Sequence, residues 1–425
     1  MGYTMNAKGP VLVVGAGPAG LSAALALAGA GLPVRVVDHA PAPGGAVHRQ
    51  PLPGTRATGT REHKRAFSAL MAKVRAADID ICCATGFAGL DHSGAALLTG
   101  MRAGMVRPRG LILATGAREL VQPRPGWTLP GVQTAGAVQT RLKTLGTAPE
   151  GRIMLGGNGP LLLAVGAELC ALGNPPVAII LAGRPFGAAG LRLPLAYQVE
   201  AARHMARLLA ARVPIVTGAH VLAISQDAGK LLATVQTRRG SRDIVADLVG
   251  LHDGIRPNAT GFSANVPIPV EQAGDCHVAL GARAALADGR RAGLALAARL
   301  GGRGHGALPH CAVLAHERAA QARLAKIFAP VDGPKLADLP PDTILCRCEG
   351  RTVADLRNLG PDCTARQLRL TGRFAMGACQ GRFCGDWVAQ LAGHADLGQP
   401  RLPLRPVAIA DLLTLEPDTP DGETR

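Results

Sequence analysis

The stretch Val11-Leu-Val-Val14-Gly15-Ala16-Gly17-Pro18-Ala19-Gly20 decides the fold of this chain. Four consecutive apolar residues read as a strand buried on both faces, and the Ala/Leu-rich run that follows predicts a helix reaching about Gly31. Between them lies Gly-x-Gly-x-x-Gly. Gly15 makes the tight turn, Gly17 lets the backbone approach a pyrophosphate, and Gly20 lets the helix pack on the strand. Pro18 and Ala19 join these glycines as cofactor-binding candidates, since the helix N-terminus then faces the phosphates. A second strand, Val34 to Val37, ends at Asp38, about 20 residues on, where a carboxylate binds ribose hydroxyls and repels a 2′-phosphate.

Farther along, Pro43-Gly44-Gly45 is a loop with little side-chain bulk, able to close over a nucleotide. Leu111-Ile-Leu-Ala-Thr115-Gly116 reads as a strand ending in a turn, with Thr115 and Gly116 approaching the same nucleotide. The first fingerprint then recurs in Arg152-Ile-Met-Leu-Gly-Gly157-Asn-Gly159-Pro-Leu-Leu162. There Leu162 replaces the third glycine and should push the helix off its strand. The next strand, Val177 to Leu181, offers Leu181 or Ala182 where Asp38 stands in the first copy. The repeat therefore reads as a degenerate Rossmann-like unit, against the alternative of a working NAD(P)H site.

Two Pro/Gly-rich crossings bracket this insert, Gln122 to Gly131 and Arg256 to Gly261, running into Pro267 and Pro269. Gly274-Asp275 and a long helix return the chain to the first domain, and Asp275 can hydrogen-bond a flavin's ribityl chain. The expected organisation is a discontinuous FAD/dinucleotide-binding domain (1–124 and 259–335), a degenerate NAD(P)-binding-like domain (125–258), a cysteine-bearing domain (336–405) and a tail (406–425).

The cysteine-bearing segment carries Cys346 and Cys348 as C-x-C, and Cys379 and Cys384 inside Met-Gly-Ala-Cys-Gln-Gly-Arg-Phe-Cys-Gly. Four thiolates suit a [2Fe-2S] cluster, since soft sulfur ligands hold both irons. Gly377, Gly381 and Gly385 leave backbone amides free to approach the sulfurs, and Arg347 and Arg382 offset the negative charge. A structural zinc is the alternative, though a tight C-x-C half is unusual there; unligated thiols are the third reading.

At 425 residues the chain exceeds one core. Ten cysteines, four of them grouped, fit a reducing compartment better than a disulfide framework. A net charge of +16 invites a nucleic-acid reading, but the arginines are scattered among Ala, Gly and Pro with no aromatic-interleaved stripe, so no nucleic-acid partner is expected. No signal peptide is visible, and no run reaches about 18 apolar residues, so a transmembrane segment is not expected and a cytoplasmic location is. Adjacent Cys82 and Cys83 do not make the C-x-x-C of a disulfide reductase. His204, His252, His277, His305 and His310 are scattered and read as packing or surface residues, so no catalytic residue is nominated.

Gly-x-Gly-x-x-Gly, Ala-Thr-Gly and Gly-Asp in this order resemble the two-dinucleotide-domain flavoproteins of the α/β, Rossmann-like, glutathione-reductase type. Pro125-Gly-Trp-Thr-Leu-Pro-Gly131, Cys346-Arg-Cys-Glu349 and Met376 to Cys384 narrow the likeness to the larger flavoprotein subunit of heteromeric amine and amino-acid dehydrogenases. That group includes the A-type chain of opine oxidase, the B-type chain of hydrogen cyanide synthase, and dye-linked proline or hydroxyproline dehydrogenase subunits. The C-terminal part is similar to bacterioferritin-associated ferredoxin, which implies a small helical [2Fe-2S] domain.

The resemblance implies a division of labour. A partner, D-amino-acid-oxidase-like flavoprotein subunit oxidises the C–N bond of an amine, opine or amino acid, and this chain relays electrons. It also implies FAD in the first site, although related subunits hold NAD or ATP there, with FMN at the subunit boundary. Membrane association through partners and a further small ferredoxin-like subunit belong to the same picture. Cys276-His277 departs from the smaller residues usual after Gly-Asp. An NADH-dependent ferredoxin or nitrite-type reductase and a scaffold holding a structural nucleotide remain the competing readings.

Overall fold

The computed structural model describes residues 9–55, 61–259, 266–303, 312–331, 333–398 and 402–413. The first unit opens with β1 (Val11–Val14), α1 (Pro18–Gly29) and β2 (Val34–Val37). It continues through α2 (Arg61–Ala76), β3 (Asp80–Cys82), β4 (Thr85–Leu90), β5 (Ala96–Gly100), β6 (Gly104–Val106) and β7 (Gly110–Leu113). β8 (Ala117–Leu120) leaves it. The second unit runs through β9 (Val132–Thr134), α3 (Ala135–Leu145), β10 (Ile153–Gly157), α4 (Leu161–Ala171), β11 (Ala178–Leu181) and α5 (Leu195–Ala210). It ends with β12 (Ile215–Thr217), β13 (His220–Asp227), β14 (Lys230–Thr237), β15 (Gly240–Ala246) and β16 (Leu248–His252). β17 (Gly254–Pro257) carries the chain back to β18 (Val270–Gln272), α6 (Ala282–Arg299) and α7 (Ala312–Ile327).

The first unit's main sheet has the order β18-β7-β1-β2-β3. All its pairings are parallel, with Val11 beside both Val34 and Gly110. Every residue of β1 and β7 is buried, as a sheet covered on both faces requires. The chain leaves β1 toward β2 on one side while β7 lies on the other, so the order reverses at the C-terminal end of β1, where open α/β sheets bind ligands. α1 is pressed against α6 because small residues line the contact. A side chain on Gly289 or Gly293 would strike the backbone of Ala19 or Ala23.

The second unit repeats the plan with a parallel sheet in the order β12-β11-β10-β16-β9 and an antiparallel meander β13-β14-β15. Leu162 stands where the first unit has Gly20. It is fully buried and joins Leu155, Val165 and Ile179 in the unit's core, so leucine fills space that the first unit closes by backbone contact. The sequence puts α7 within the first unit, yet Leu324, Ile327 and Phe328 at its C-terminal end pack into the second unit's core. α5 buries only Leu208 fully and leaves Leu195, Val199 and Leu209 exposed.

The two units are joined by an antiparallel ribbon of β8 and β17. The C-terminal unit has β19 (Ile344–Cys346), β20 (Arg351–Thr352), α8 (Val353–Arg357), α9 (Ala365–Leu370) and α10 (Gly385–Leu391). Capping boxes at Thr352/Asp355 and Thr364/Gln367 start α8 and α9 by satisfying amides that short helices leave unpaired. The core of this unit reaches from Leu336 to Leu397. Leu404, inside the range expected for this unit, packs instead with the first unit, its amide donating to Ala88 O at 2.7 Å.

Candidate functional site

The first glycine loop is shaped by contacts that admit no side chain. Gly15 has φ +110°, and a Cβ there would press on the Ala114 carbonyl; at Gly20 it would collide with the Gly15 carbonyl. Gly17 differs. A Cβ at Gly17 would meet nothing closer than Gly45 Cα at 3.7 Å, so this glycine keeps an opening clear. Pro18 and Ala19 form the first turn of α1 beneath it, as expected. An opening over a helix N-terminus fits a pyrophosphate.

Asp38 closes the loop from below. Its carboxylate is buried and accepts the Ala16 amide at 2.7 Å and the Ala40 amide at 2.8 Å. Each oxygen can accept a further bond, and the carboxylate has an organising role that its position in sequence did not reveal. Gly44 donates to Ala16 O at 2.8 Å, and Gly45 lies directly against Gly17. The Pro43-Gly44-Gly45 loop therefore seats on the fingerprint itself.

Thr115 and Gly116 are held by Asn258 across the ribbon. Thr115 Oγ1 donates to Asn258 O at 2.7 Å, and the Asn258 amide donates to Gly116 O at 2.9 Å. Cys276, buried, lies 3.2 Å from Thr115 Oγ1. Gly274 has φ +68°, and its amide donates to Asp288 Oδ2 at 2.7 Å. Asp275 accepts the amides of Leu280 (3.0 Å) and Gly281 (2.7 Å) through Oδ1, organising the approach to α6, and burial pushes its carboxyl up. That oxygen is committed to the backbone, whereas the sequence pointed Asp275 at a ribityl chain. His277 sits 3.3 Å from Asp288, with Arg291 Nε on the other Asp288 oxygen at 2.7 Å.

In the second unit the His252 ring, rather than a glycine loop, lies beside the corresponding glycine. Gly157 and Gly159 keep positive φ, but the His252 ring stands against Gly159, 3.4 Å from where a Cβ would lie. His252 is buried and pairs with Glu119 at 2.8 Å, whose carboxylate also accepts the Gly136 amide. β11 ends at buried Leu181, so no carboxylate answers Asp38.

Cys346, Cys348, Cys379 and Cys384 come together as two pairs. Cys384 donates to Cys346 and Cys348 donates to Cys379; Cys348 also feels the charge of Cys346, and Cys384 that of Cys379. The bond from Cys384 holds the Cys346 thiol well below its ordinary range and drives that of Cys384 far above it. Burial pushes Cys348 up. Amides of Cys348, Glu349 and Ala375 point at Cys346, that of Cys379 at Cys348, and that of Ala375 also at Cys384. Among the described residues no three His, Cys, Asp or Glu side chains gather about one point as a single metal ion requires. Four thiols in one small unit are the soft donor set that a two-iron cluster would take.

The glycines here act differently from one another. A side chain at Gly377 would run into Cys348, Gly381 supplies φ +84°, and Gly385 merely starts α10. Arg347 stacks on Trp127 at 5.4 Å, while Arg382 donates to Cys379 O at 3.2 Å. Cys82, Cys83 and Cys170 are free thiols pushed up by burial, as inert packing residues should be. His204 lies 3.9 Å from Glu200 on α5. His305, His310 and Cys311, like Thr260 and Gly261 of the second crossing, lie outside the described residues.

Asn258, Asp288, Glu119 and Trp127 escaped the sequence reading as site residues. Each acts through partners more than ten residues away or across the ribbon, and no local spacing signals that.

Two parallel-sheet units on one ribbon, the first with an open phosphate cradle, define an oxidoreductase of the FAD/NAD-binding Rossmann type. Residues 9–282 match the pyridine nucleotide-disulphide oxidoreductase family, and the chain belongs to that family. It is similar to the A-type chain of opine oxidase from Agrobacterium tumefaciens (strain Ach5), at 33% identity over 95% of this chain and 91% of the relative. It is similar also to hydrogen cyanide synthase subunit HcnB of Pseudomonas protegens, at 29% identity over 93% of this chain and 96% of the relative. Among solved structures, L-proline dehydrogenase from P. horikoshii superposes with a TM-score of 0.62 at 16% identity, covering 95% of this chain and 79% of that one. T. acidophilum thioredoxin reductase superposes at 0.51 and 18%, covering 68% of this chain and 98% of the other. These two likenesses concern the fold. Among the described residues no helix is long and apolar enough to cross a membrane.

Proposed function

We propose that this chain is the electron-relaying subunit of a heteromeric amine, opine or amino-acid dehydrogenase. The observation that carries the reading is a small unit whose core holds Cys346 and Cys384, with Cys348 and Cys379 beside it in sequence, docked on the ribbon next to the first nucleotide cradle. Cys346, Cys348, Cys379 and Cys384 would hold a [2Fe-2S] cluster, which when bound accepts and passes single electrons. Gly15, Gly17, Pro18, Ala19, Gly20, Asp38, Gly44, Gly45, Thr115, Gly116, Gly274 and Asp275 would hold FAD, or NAD or ATP in the same cradle, with FMN at a subunit boundary. Gly17 keeps the phosphate path clear, Asp38 fixes the loop and meets the ribose, and Thr115 and Gly116 border the nucleotide.

The relatives are named as subunits, which supports other subunits beside this one; these would be an oxidising, D-amino-acid-oxidase-like partner and a further small ferredoxin-like subunit. Exposed Leu195, Val199 and Leu209 on α5 suit burial by another chain. The complex would work in the cytoplasm, reaching a membrane only through its partners. Leu181, buried where the first unit has Asp38, argues against an NADH-dependent reductase built on the second unit.

The test is a dye-reduction assay on the purified chain and on the chain co-purified with its partners, using opines, proline, D-hydroxyproline, glycine and NADH. Turnover of an amine is expected only in the complex. Amine turnover by the chain alone, or rapid NADH-driven reduction, would overturn the reading.

A further inference from the structure

Resting on the cluster assignment above, we propose that Arg382, and not Arg347, is the positioning residue that sets the cluster's reduction potential, and that Asn258 of the ribbon's far end holds it in place. Both arginines flank the cysteine motifs in sequence, so charge alone does not separate them. Their surroundings do. Arg347 is exposed and lies over the Trp127 ring, where water screens it.

Arg382 is partly buried, and its hydrogen bonds run to uncharged oxygens: Cys379 O at 3.2 Å, Leu404 O at 3.1 Å and Asn258 Oδ1 at 3.4 Å. Asp386, four residues on, is paired at 2.9 Å with Arg118, which also donates to Arg382 O. A half-buried cation with no carboxylate of its own, one carbonyl away from a thiolate ligand, finds its counter-charge in a thiolate-ligated cluster. Reduction adds one negative charge to such a cluster, so the guanidinium favours the reduced form and raises the potential. Asn258 also binds Thr115 and Gly116, so the same residue that steadies Arg382 borders the first nucleotide cradle.

The experiment is a potentiometric titration of the purified protein followed by electron paramagnetic resonance of the reduced cluster, after iron and acid-labile sulfide have been measured in the unmodified chain. Absence of iron and sulfide there would defeat the cluster assignment itself. With the cluster present, Arg382→Gln should disfavour reduction by about tenfold, about 59 mV more negative for one electron. Arg382→Lys, which keeps the charge, and Arg347→Gln should stay within about threefold of the unmodified protein. Should Arg382→Gln fail to hold iron, Asn258→Asp carries the test, because a carboxylate facing Arg382 neutralises it from outside the cysteine unit; its potential should move in the same negative direction. An unchanged potential in Arg382→Gln, or in Asn258→Asp where that variant carries the test, would overturn the proposal. So would an equal shift in Arg347→Gln or in Arg382→Lys.

Discussion

The indole N–H of Trp127, in the second unit, donates at 2.7 Å to the carbonyl of Ile344, on the strand that ends in Cys346. Trp387, on the helix that follows Cys384, returns the contact by donating at 2.9 Å to Val121 O beside the ribbon. The chain has two tryptophans, and both make this seam. The cysteine unit is thereby fixed to the crossing between the nucleotide units.

Trp127→Phe keeps most of the buried ring and removes the N–H, leaving the Ile344 carbonyl without its partner. A loss of about 1 kcal/mol is expected. Denaturant unfolding followed by far-ultraviolet circular dichroism measures it, and Trp127→Ala, which also opens a cavity, should lose about 3–5 kcal/mol.

Gly17→Ala and Gly15→Ala should separate binding from folding. At Gly17 the added methyl makes only ordinary contact with Gly45 Cα, so the stability of the nucleotide-free protein should change by less than about 0.5 kcal/mol while the bound nucleotide is lost. At Gly15 it meets the Ala114 carbonyl in a φ +110° backbone, and a cost of about 1–3 kcal/mol is expected. Thermal unfolding and nucleotide extraction from both variants give the two readouts. Gly159→Ala should leave nucleotide content unchanged.

Cys379→Ser should remove most iron and acid-labile sulfide, because a hard oxygen substitutes poorly for a thiolate. The nucleotide units have their own cores and should stay folded, with bound nucleotide retained. Colorimetric iron and sulfide determination beside nucleotide extraction checks both halves.

Glu168 carries a buried oxygen without a hydrogen-bond partner, and burial pushes its carboxyl up despite Lys143 nearby. A raised folded value means that the stability of the protonated form is present at low pH and lost as pH rises through the folded value. Glu168→Gln should therefore match the unmodified protein at acidic pH and exceed it near neutrality, by up to about 1 kcal/mol. Urea midpoints across the carboxylate range measure the divergence.

Much of the first unit was legible because its determinants are local. Gly15, Gly17, Gly20 and Asp38 follow one another at the spacing of a strand, a turn, a helix and a second strand, and steric exclusion at Gly15 and Gly20 is what that spacing encodes. The second unit's departure was legible at Leu162, which the structure buries in the core between α4 and the sheet. Asp288 under Gly274 and His252 against Gly159 were not legible, since each depends on which strand ends the sheet brings side by side. The four cysteines were visible as a set. Their division into Cys346 with Cys384 and Cys348 with Cys379 came only from the fold of the intervening α8 and α9.

The most direct test of electron relay is freeze-quench electron paramagnetic resonance of the co-purified complex after anaerobic addition of its amine substrate. A reduced-cluster signal is expected within one turnover in the complex, and none in the isolated chain mixed with the same amine. A complex that oxidises the amine while iron in this chain stays oxidised, or that contains no iron here, would contradict electron relay through this chain.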